Sequence, residues 1–480
     1  MRPLTSVIAV VATAVLATPT FAQSTTDTTT VASAVTVKAS STDSTTTAKP
    51  KDSTTATAAA SAKALLLPPI EFQHIRPNDQ RGINVFEAPK ETDVPFTGFK
   101  VGFGAGFTQQ FQGLAHANTA TPVLKTDAAG KMYNANALIN VGHGFNNAVA
   151  NAYLNAQLAK GIRVAMTGYL SARHHNETWI KDGYLLIDDS PIEWTPLKVL
   201  MAFTTVKAGH FEINYGDTHF RRTDNGNAMF NPLVGNYIMD AFTTQVGGEV
   251  MLRAKGVMLM GGVTNGEVRG TILNPTKRAP AFLGKIGADE QLTDLLRVRL
   301  TGSLYSQSKA ANQTLYSGDR AGSRYYDMLE ASTSTEAANA WSGAIQPFSG
   351  ASAGLHAMVV NPFVKFGPVE YFGNFEQAKG RGTTEKADRT VNQIANELTY
   401  RFLGDQLYVS GRYNTVSGKL AGIANDINVK RSQVGAGWFI TPVILMKGEY
   451  VSQKYLDFPS TDIRNGGKFN GFMAEATISF

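Results

Sequence analysis

Beyond Thr97 the chain alternates with period two. Phe99, Val101, Phe103, Ala105 and Phe107 share one parity, while Lys100, Gly102, Gly104, Gly106 and Thr108 share the other. Successive side chains of a strand point to opposite faces, so this stretch has one apolar face and one small or polar face. The pattern returns in Ile162, Val164 and Met166 against Arg163, Ala165 and Thr167, and in Val298, Leu300 and Leu304 against Arg297, Arg299, Thr301 and Ser303. It returns again in Val434, Ala436, Trp438 and Ile440 against Gln433, Gly435 and Gly437. These segments predict an all-β protein.

The connections narrow the architecture. Very short turns fall at Lys160-Gly161, Lys255-Gly256, Gly367-Pro368, Gly404-Asp405 and Thr441-Pro442, with longer polar segments between them at 112–133, 216–239, 308–350, 380–392, 417–429 and 457–468. Tight turns at one end and long loops at the other are the rhythm of a transmembrane antiparallel β-barrel, whereas a soluble sandwich has no reason to alternate them. Threading strands through these connections predicts about sixteen, an even number as bacterial barrels require. The stretches 184–188 and 281–287 carry the weakest strand signal. At the chain end, Phe472, Ala474, Ala476, Ile478 and Phe480 alternate with Met473, Glu475, Thr477 and Ser479. An amphipathic last strand closing on an aromatic residue resembles the signal read by the outer-membrane assembly machinery, with Phe472, Ile478 and Phe480 as its apolar contacts.

Composition is compatible with this and excludes other chemistry. The 480 residues contain no cysteine, which removes disulfides, thiol chemistry and cysteine metal sites. Lys and Arg number 44 against 38 Asp and Glu, an excess of 6 with no basic block, so no nucleic-acid partner is expected. Arg2, the apolar run 7–16 and Thr20-Phe21-Ala22 have the layout of a signal peptide ending at Ala22. The apolar run is too short to cross a bilayer, which takes about 20 residues. Export to the outer membrane of a Gram-negative-type cell follows as the expectation. Residues 23–69 are a Ser/Thr/Ala-rich leader with too little to bury to offset its ordering entropy, and are expected to be disordered. Residues 70–96 read as an irregular periplasmic lead-in, too short and low in complexity to fold a plug, and residues 97–480 as the barrel.

The stretch Val206-Lys207-Ala208-Gly209-His210-Phe211-Glu212-Ile213-Asn214-Tyr215-Gly216-Asp217 resembles a strand of the phosphate-selective porin O and P family, and Gly261-Gly262-Val263-Thr264-Asn265-Gly266 is similar to that family's strand ending in Asn-Gly. Where the family has Pro-Phe-Gly, this chain has Asn214-Tyr215-Gly216, and the basic ladders of a phosphate channel are not obvious. The resemblance implies a sixteen-stranded barrel, a homotrimer, and a loop at 216–239 folded into the lumen. It does not extend to phosphate specificity. Asp217, His219, Arg221, Arg222 and Asp224 would then line a pore constriction, where fixed charges of both signs sort ions. Alternatively, Arg221 and Arg222 pair with wall carboxylates and pin the loop.

Parity assigns Lys100, Arg163, Arg173, Arg297, Arg299, Arg401, Arg412 and Arg431 to the lumen wall, against Glu249, Glu370, Glu376, Glu397 and Glu475. A lipid-facing Arg or Lys near the bilayer midplane costs about 2–4 kcal/mol, which favours inward placement. The basic excess predicts weak anion preference. His174, His175 and Glu177 read as a solvated loop rather than a metal site, and no G-x-S-x-G signature marks a hydrolase. The leading expectation is a passive channel for small hydrophilic solutes or ions, without catalysis, cofactor or metal. Its partners would be outer-membrane lipid, lipopolysaccharide and the assembly machinery. The alternatives are a barrel enzyme of the phospholipase or protease type, and a plugged structural or adhesion barrel using the 308–350 loop.

Overall fold

The computed structural model describes residues 69–90, 94–172, 177–267, 275–318, 321–334 and 341–480. The signal peptide, nearly all of the leader, Arg173 and the His174-His175 pair lie outside the described residues.

The barrel wall begins with β1 (Lys100–Ala117), whose outward face is the aromatic parity read from the sequence: Phe103 is 71% exposed and Phe107 49%. The first long connection carries the hairpin β2 (Leu124–Thr126) and β3 (Met132–Asn134) and the short β4 (Gly144–Phe145). Five strands follow: β5 (Val149–Ala159), β6 (Ile162–Leu170), β7 (Trp179–Ile187), β8 (Thr204–Glu212) and β9 (Thr244–Ala254). Next come β10 (Val257–Thr264), β11 (Ala281–Gln291), β12 (Leu296–Gln307), the short β13 (Ala310–Gln313) and β14 (Gly350–Phe366). The last six are β15 (Val369–Gly382), β16 (Arg389–Phe402), β17 (Leu407–Gly418), β18 (Ile427–Thr441), β19 (Ile444–Leu456) and β20 (Lys468–Ser479).

Eighteen of these strands share one sheet; β4 and β13 are short loop segments paired with β1 and β14, and the other sixteen form the wall. Every pairing is antiparallel, and β1 pairs with β20 from Gly106↔Ser479 to Ala117↔Lys468, which closes the barrel. Closure removes the sheet edge that would otherwise expose unpaired backbone groups. The two weakest stretches of the sequence reading are wall strands, β7 and β11.

One end of the barrel is built from tight turns. At Lys255-Gly256 both residues have positive φ, +48° and +71°, the mirror-image turn whose twist matches two right-twisted strands. The exception at this end is the connection 188–203, which contains the one α-helix among the described residues, α1 (Thr195–Met201), started by Pro196 near its N-terminus. The outer wall presents Leu259, Ile286, Leu300, Leu304, Val434 and Trp438, all exposed, the surface that a transmembrane barrel turns to lipid.

The interior is not an empty tube, because among the described residues three segments occupy it. Residues 213–243, between β8 and β9, are almost wholly buried. The 308–350 connection, read from sequence as an external loop, sends Leu315, Tyr316, Tyr325, Met328, Ile345 and Phe348 inward. Residues 70–90 enter the barrel from the short-turn end: Asn84 Nδ2 donates to Glu370 Oε1 at 2.6 Å, and Glu87 meets Lys285 at 2.9 Å and Arg299 at 2.8 Å. The lead-in is too short for a domain, but it needs no core of its own when charged wall residues supply its partners.

Candidate functional site

The inserted segment 213–243 leaves the wall where Ile213 N donates to Thr243 O, 3.2 Å, and crosses the lumen. Its tip is a tight turn in which Asp224 and Asn227 exchange backbone bonds of 2.9 and 2.8 Å, with Asn225 at φ +47°. The turn abuts β1 and β5: Gly226 O accepts from Thr108 Oγ1 at 2.9 Å, and Gly226 N donates to Asn151 Oδ1 at 3.1 Å. A Cβ on Gly226 would stand 2.4 Å from Gly106 O and 2.6 Å from Asn151 N, so only glycine permits this approach.

Along its return the segment is held by the β16–β19 wall. Met239 N donates to Gln393 Oε1 and Ile238 N to Asn414 Oδ1, each 2.8 Å, while Val234 N donates to Glu449 Oε2 at 2.7 Å. Lys447 Nζ donates to the carbonyls of Ala228, Asn231 and Leu233 at 2.8, 2.8 and 2.9 Å.

The five residues identified as a constriction are all engaged. Asp217 meets Lys285 at 2.7 Å and Arg299 at 2.9 Å and accepts from Thr301 Oγ1 at 2.8 Å. Arg221 pairs with Glu397 at 2.8 Å and donates to Asn84 Oδ1. Arg222 binds Asp240 through Nε at 3.0 Å and Nη2 at 2.5 Å. His219 pairs with Glu212, and Asp224 with Lys181. Asp217 and Arg221 therefore pin the segment to the wall, as the alternative reading expected for Arg221, whereas Arg222 with Asp240 ties the segment to itself; these buried charges stay favourable only because each has a partner.

The wall residues point inward. Arg163, Arg299, Arg401, Arg412, Arg431 and Glu397 are buried, as are Glu249, Glu370, Glu376 and Glu475. Arg412 meets Glu397 at 2.5 Å, Arg401 meets Glu370 at 2.8 Å, and Arg297 meets Asp289 at 2.7 Å. Arg431 donates to Gln453 Oε1 at 2.5 Å and Gly343 O at 2.8 Å. Lys100, half-buried at the short-turn end, donates to Glu71 O at 3.3 Å. Phe472, Ile478 and Phe480 face outward and are exposed, and Ala105 N donates to Phe480 O at 3.0 Å.

What stays open lies on the other side of the inserted segment, against β5–β9. A cavity of about 290 Å³ runs there, with Arg76, Arg163, Lys181, Lys207, Arg222 and Arg253 as its basic lining and Glu87, Asp182, Asp188, Glu212, Asp224 and Glu249 as its acidic lining. At roughly 30 Å³ per water it holds on the order of ten waters or one small solute. Both Lys181 and Asp182 line it because the β6–β7 register slips there: Thr167 faces Asp182 while Gly168 faces Ile180. The extra residue is a β-bulge, which re-aims side chains that strict alternation would send to opposite faces. Strand parity could not have found this pair. The lead-in arginine Arg76 was missed because nothing in its irregular sequence context sets a direction. At the short-turn mouth a wider cavity of about 790 Å³ is lined by Gln80, Arg81, Lys365, Arg401 and Asp405 among others.

No protein-family model matches the chain, and no curated protein matches it. Solved structures of similar shape include an anion-selective porin from Comamonas acidovorans, at 11% identity over 80% of this chain and 100% of that one, TM-score 0.47. The outer membrane channel DcaP of Acinetobacter baumannii is 10% identical over 80% of this chain and 98% of that one, TM-score 0.46. OmpT, an outer membrane protein of Vibrio cholerae recorded as a trimer, is 10% identical over 80% of this chain and 100% of that one, TM-score 0.45. The fold itself stands on the closed strand register.

Proposed function

We propose that this chain is an outer-membrane porin, exported by its signal peptide, that lets small hydrophilic solutes or ions diffuse through an off-centre passage between residues 213–243 and the β5–β9 wall. The observation that carries the reading is the polar cavity left on one side of an inserted segment that is pinned on the other. The mechanism is size exclusion by the segment and sorting by fixed charge, with no catalysis and no cofactor.

Six basic and six acidic residues line the cavity, so its net charge gives little selectivity of its own. Any weak anion preference has to come from charges that lack a counterpart rather than from a basic excess. Lipid and lipopolysaccharide would surround the apolar wall, and a homotrimer would pack part of it against neighbouring copies.

Single-channel recording in a planar bilayer across a salt gradient tests this. Stable open steps with a small zero-current potential are expected. A folded, heat-modifiable barrel that passes no current would replace the reading with a closed structural barrel, which is favoured by the three segments inside the lumen.

A further inference from the structure

Three of the six basic residues that line the passage differ from the rest. Lys181, Lys207 and Arg222 each have a carboxylate partner, namely Asp224, Glu249 and Asp240. Arg76, Arg163 and Arg253 line the same cavity, and no described carboxylate oxygen lies within 4.0 Å of any of them. Arg163 is the second residue of β6 and Arg253 the last but one of β9, so both flank tight turns and stand at the short-turn mouth. Arg76 comes from the lead-in.

Each guanidinium is held by carbonyls and amides rather than by charge. Arg163 donates to Asn155 Oδ1 at 2.8 Å and His74 O at 3.2 Å, and Arg253 donates to Ala88 O at 2.6 Å. Arg76 donates to Gly82 O at 3.1 Å and Phe220 O at 2.8 Å, and its guanidinium carbon lies 3.8 Å from the centre of the Phe230 ring. A guanidinium has five N–H donors, so these contacts fix its plane and leave donors over. Arg163, only 5% exposed, keeps its Nε buried with no partner. An unsatisfied buried donor beside an unneutralised charge is costly unless a ligand completes it.

The nearby acids do not complete it. Glu87 is shared by Lys285 at 2.9 Å and Arg299 at 2.8 Å, and Asp188 accepts from Thr205 Oγ1 at 2.7 Å with Lys90 at 3.8 Å. Asp182 and Glu249 each keep an oxygen with no hydrogen-bond partner, but Asp182 lies further up β7 from its short-turn end at Ile187, beside Lys181, and Glu249 is 3.7 Å from Lys207.

We propose that Arg76, Arg163 and Arg253 form a collar at the short-turn mouth that binds a small oxyanion, a carboxylate or a phosphate, with the lead-in as a working part of the site. The collar deepens the passage reading by placing three basic groups without carboxylate partners at one end, which makes the passage asymmetric although its lining is balanced.

The experiment is isothermal titration of the folded, full-length chain in detergent with inorganic phosphate and, separately, citrate. Saturable binding is expected, weakened about tenfold by Arg163→Gln and somewhat less by Arg76→Gln or Arg253→Gln, since a hydrogen bond to a charged group contributes that order of affinity. Lys125→Gln, in the outer hairpin, should leave it unchanged. Tighter citrate would assign a carboxylate and tighter phosphate a phosphate ligand. Absence of saturable binding to the heat-modifiable barrel, or affinity that all three substitutions leave intact, would overturn the collar. Binding without any channel current would retain the collar and retire the passage. In conducting barrels oriented by a label on Thr126→Cys, citrate should block at lower concentration from the short-turn side, and equal block from both sides would overturn the collar's placement.

Discussion

The two halves of the lumen use charge in opposite ways. On the β14–β20 side, charged wall residues are tied to one another or to the segments inside the lumen: Glu397 to Arg412 and to Arg221, Glu449 to Val234 N and Gly235 N, and Glu475 to Arg324. The 308–350 connection completes the packing, with Tyr325 OH donating to Glu449 Oε1 at 2.5 Å and Tyr316 OH to Glu376 Oε1 at 2.8 Å. On the β5–β9 side the same inserted segment turns its other face to a cavity, and some of the charges there keep no counterpart. A charge in a barrel interior can therefore be structural or available, and burial alone does not distinguish them. What each charge is tied to does.

The strongest way to break this contrast is to remove a shared pin. Glu397→Ala leaves Arg221 and Arg412 without their common carboxylate in a buried site. Stripping one partner from a buried pair costs about 3–5 kcal/mol. Urea unfolding should show a loss of that order, and channel recording should show noisier, larger steps as the segment is released. A variant with wild-type stability and unchanged current would mean that the pins do not hold the segment.

Gly226→Val attacks the tip instead. Its Cβ would meet backbone atoms of Gly106, Asn151 and Ala150 between 2.4 and 2.7 Å, contacts that rigid strands cannot give way to. Overpacking of this kind costs about 1–3 kcal/mol. The expected result is a displaced tip, a wider passage and a conductance increase by about half, and an unchanged single-channel current would place the passage elsewhere.

How much of this was legible depended on what sets each side chain's direction. The wall strands obey period two, so the outward Phe103, Leu300 and Trp438 and the inward Arg299, Arg412 and Arg431 could be assigned by counting. The inward fold of 213–243 came from the resemblance, because nothing in its composition separates a lumen loop from an external one. The same lack of signal hid the inward course of 308–350, whose Ser- and Thr-rich sequence reads as solvated although Tyr316, Tyr325 and Phe348 are buried. The lead-in was illegible for a related reason: Asn84 and Glu87 are stabilised by partners more than a hundred residues away, Glu370 and Lys285. Parity failed once in the site, at the bulge that turns both Lys181 and Asp182 inward.

That bulge supplies the finest test of the comparison. Lys181 Nζ lies 3.2 Å from Glu212 Oε2 and also pairs with Asp224, so it neutralises two acids on the open side. Its side chain is more exposed than that of Arg222 or Arg412, 9% against 0% for each, and water can replace part of its contribution. Lys181→Gln should therefore cost less stability than the about 3–5 kcal/mol expected on removing a pin on the packed side. Its effect should appear in selectivity: Glu212 and Asp224 would be released into the passage, and the zero-current potential should move toward cations by several millivolts across a tenfold salt gradient. A large stability loss with no change in potential would make Lys181 another pin, and the contrast between the two halves would no longer follow the line of the inserted segment.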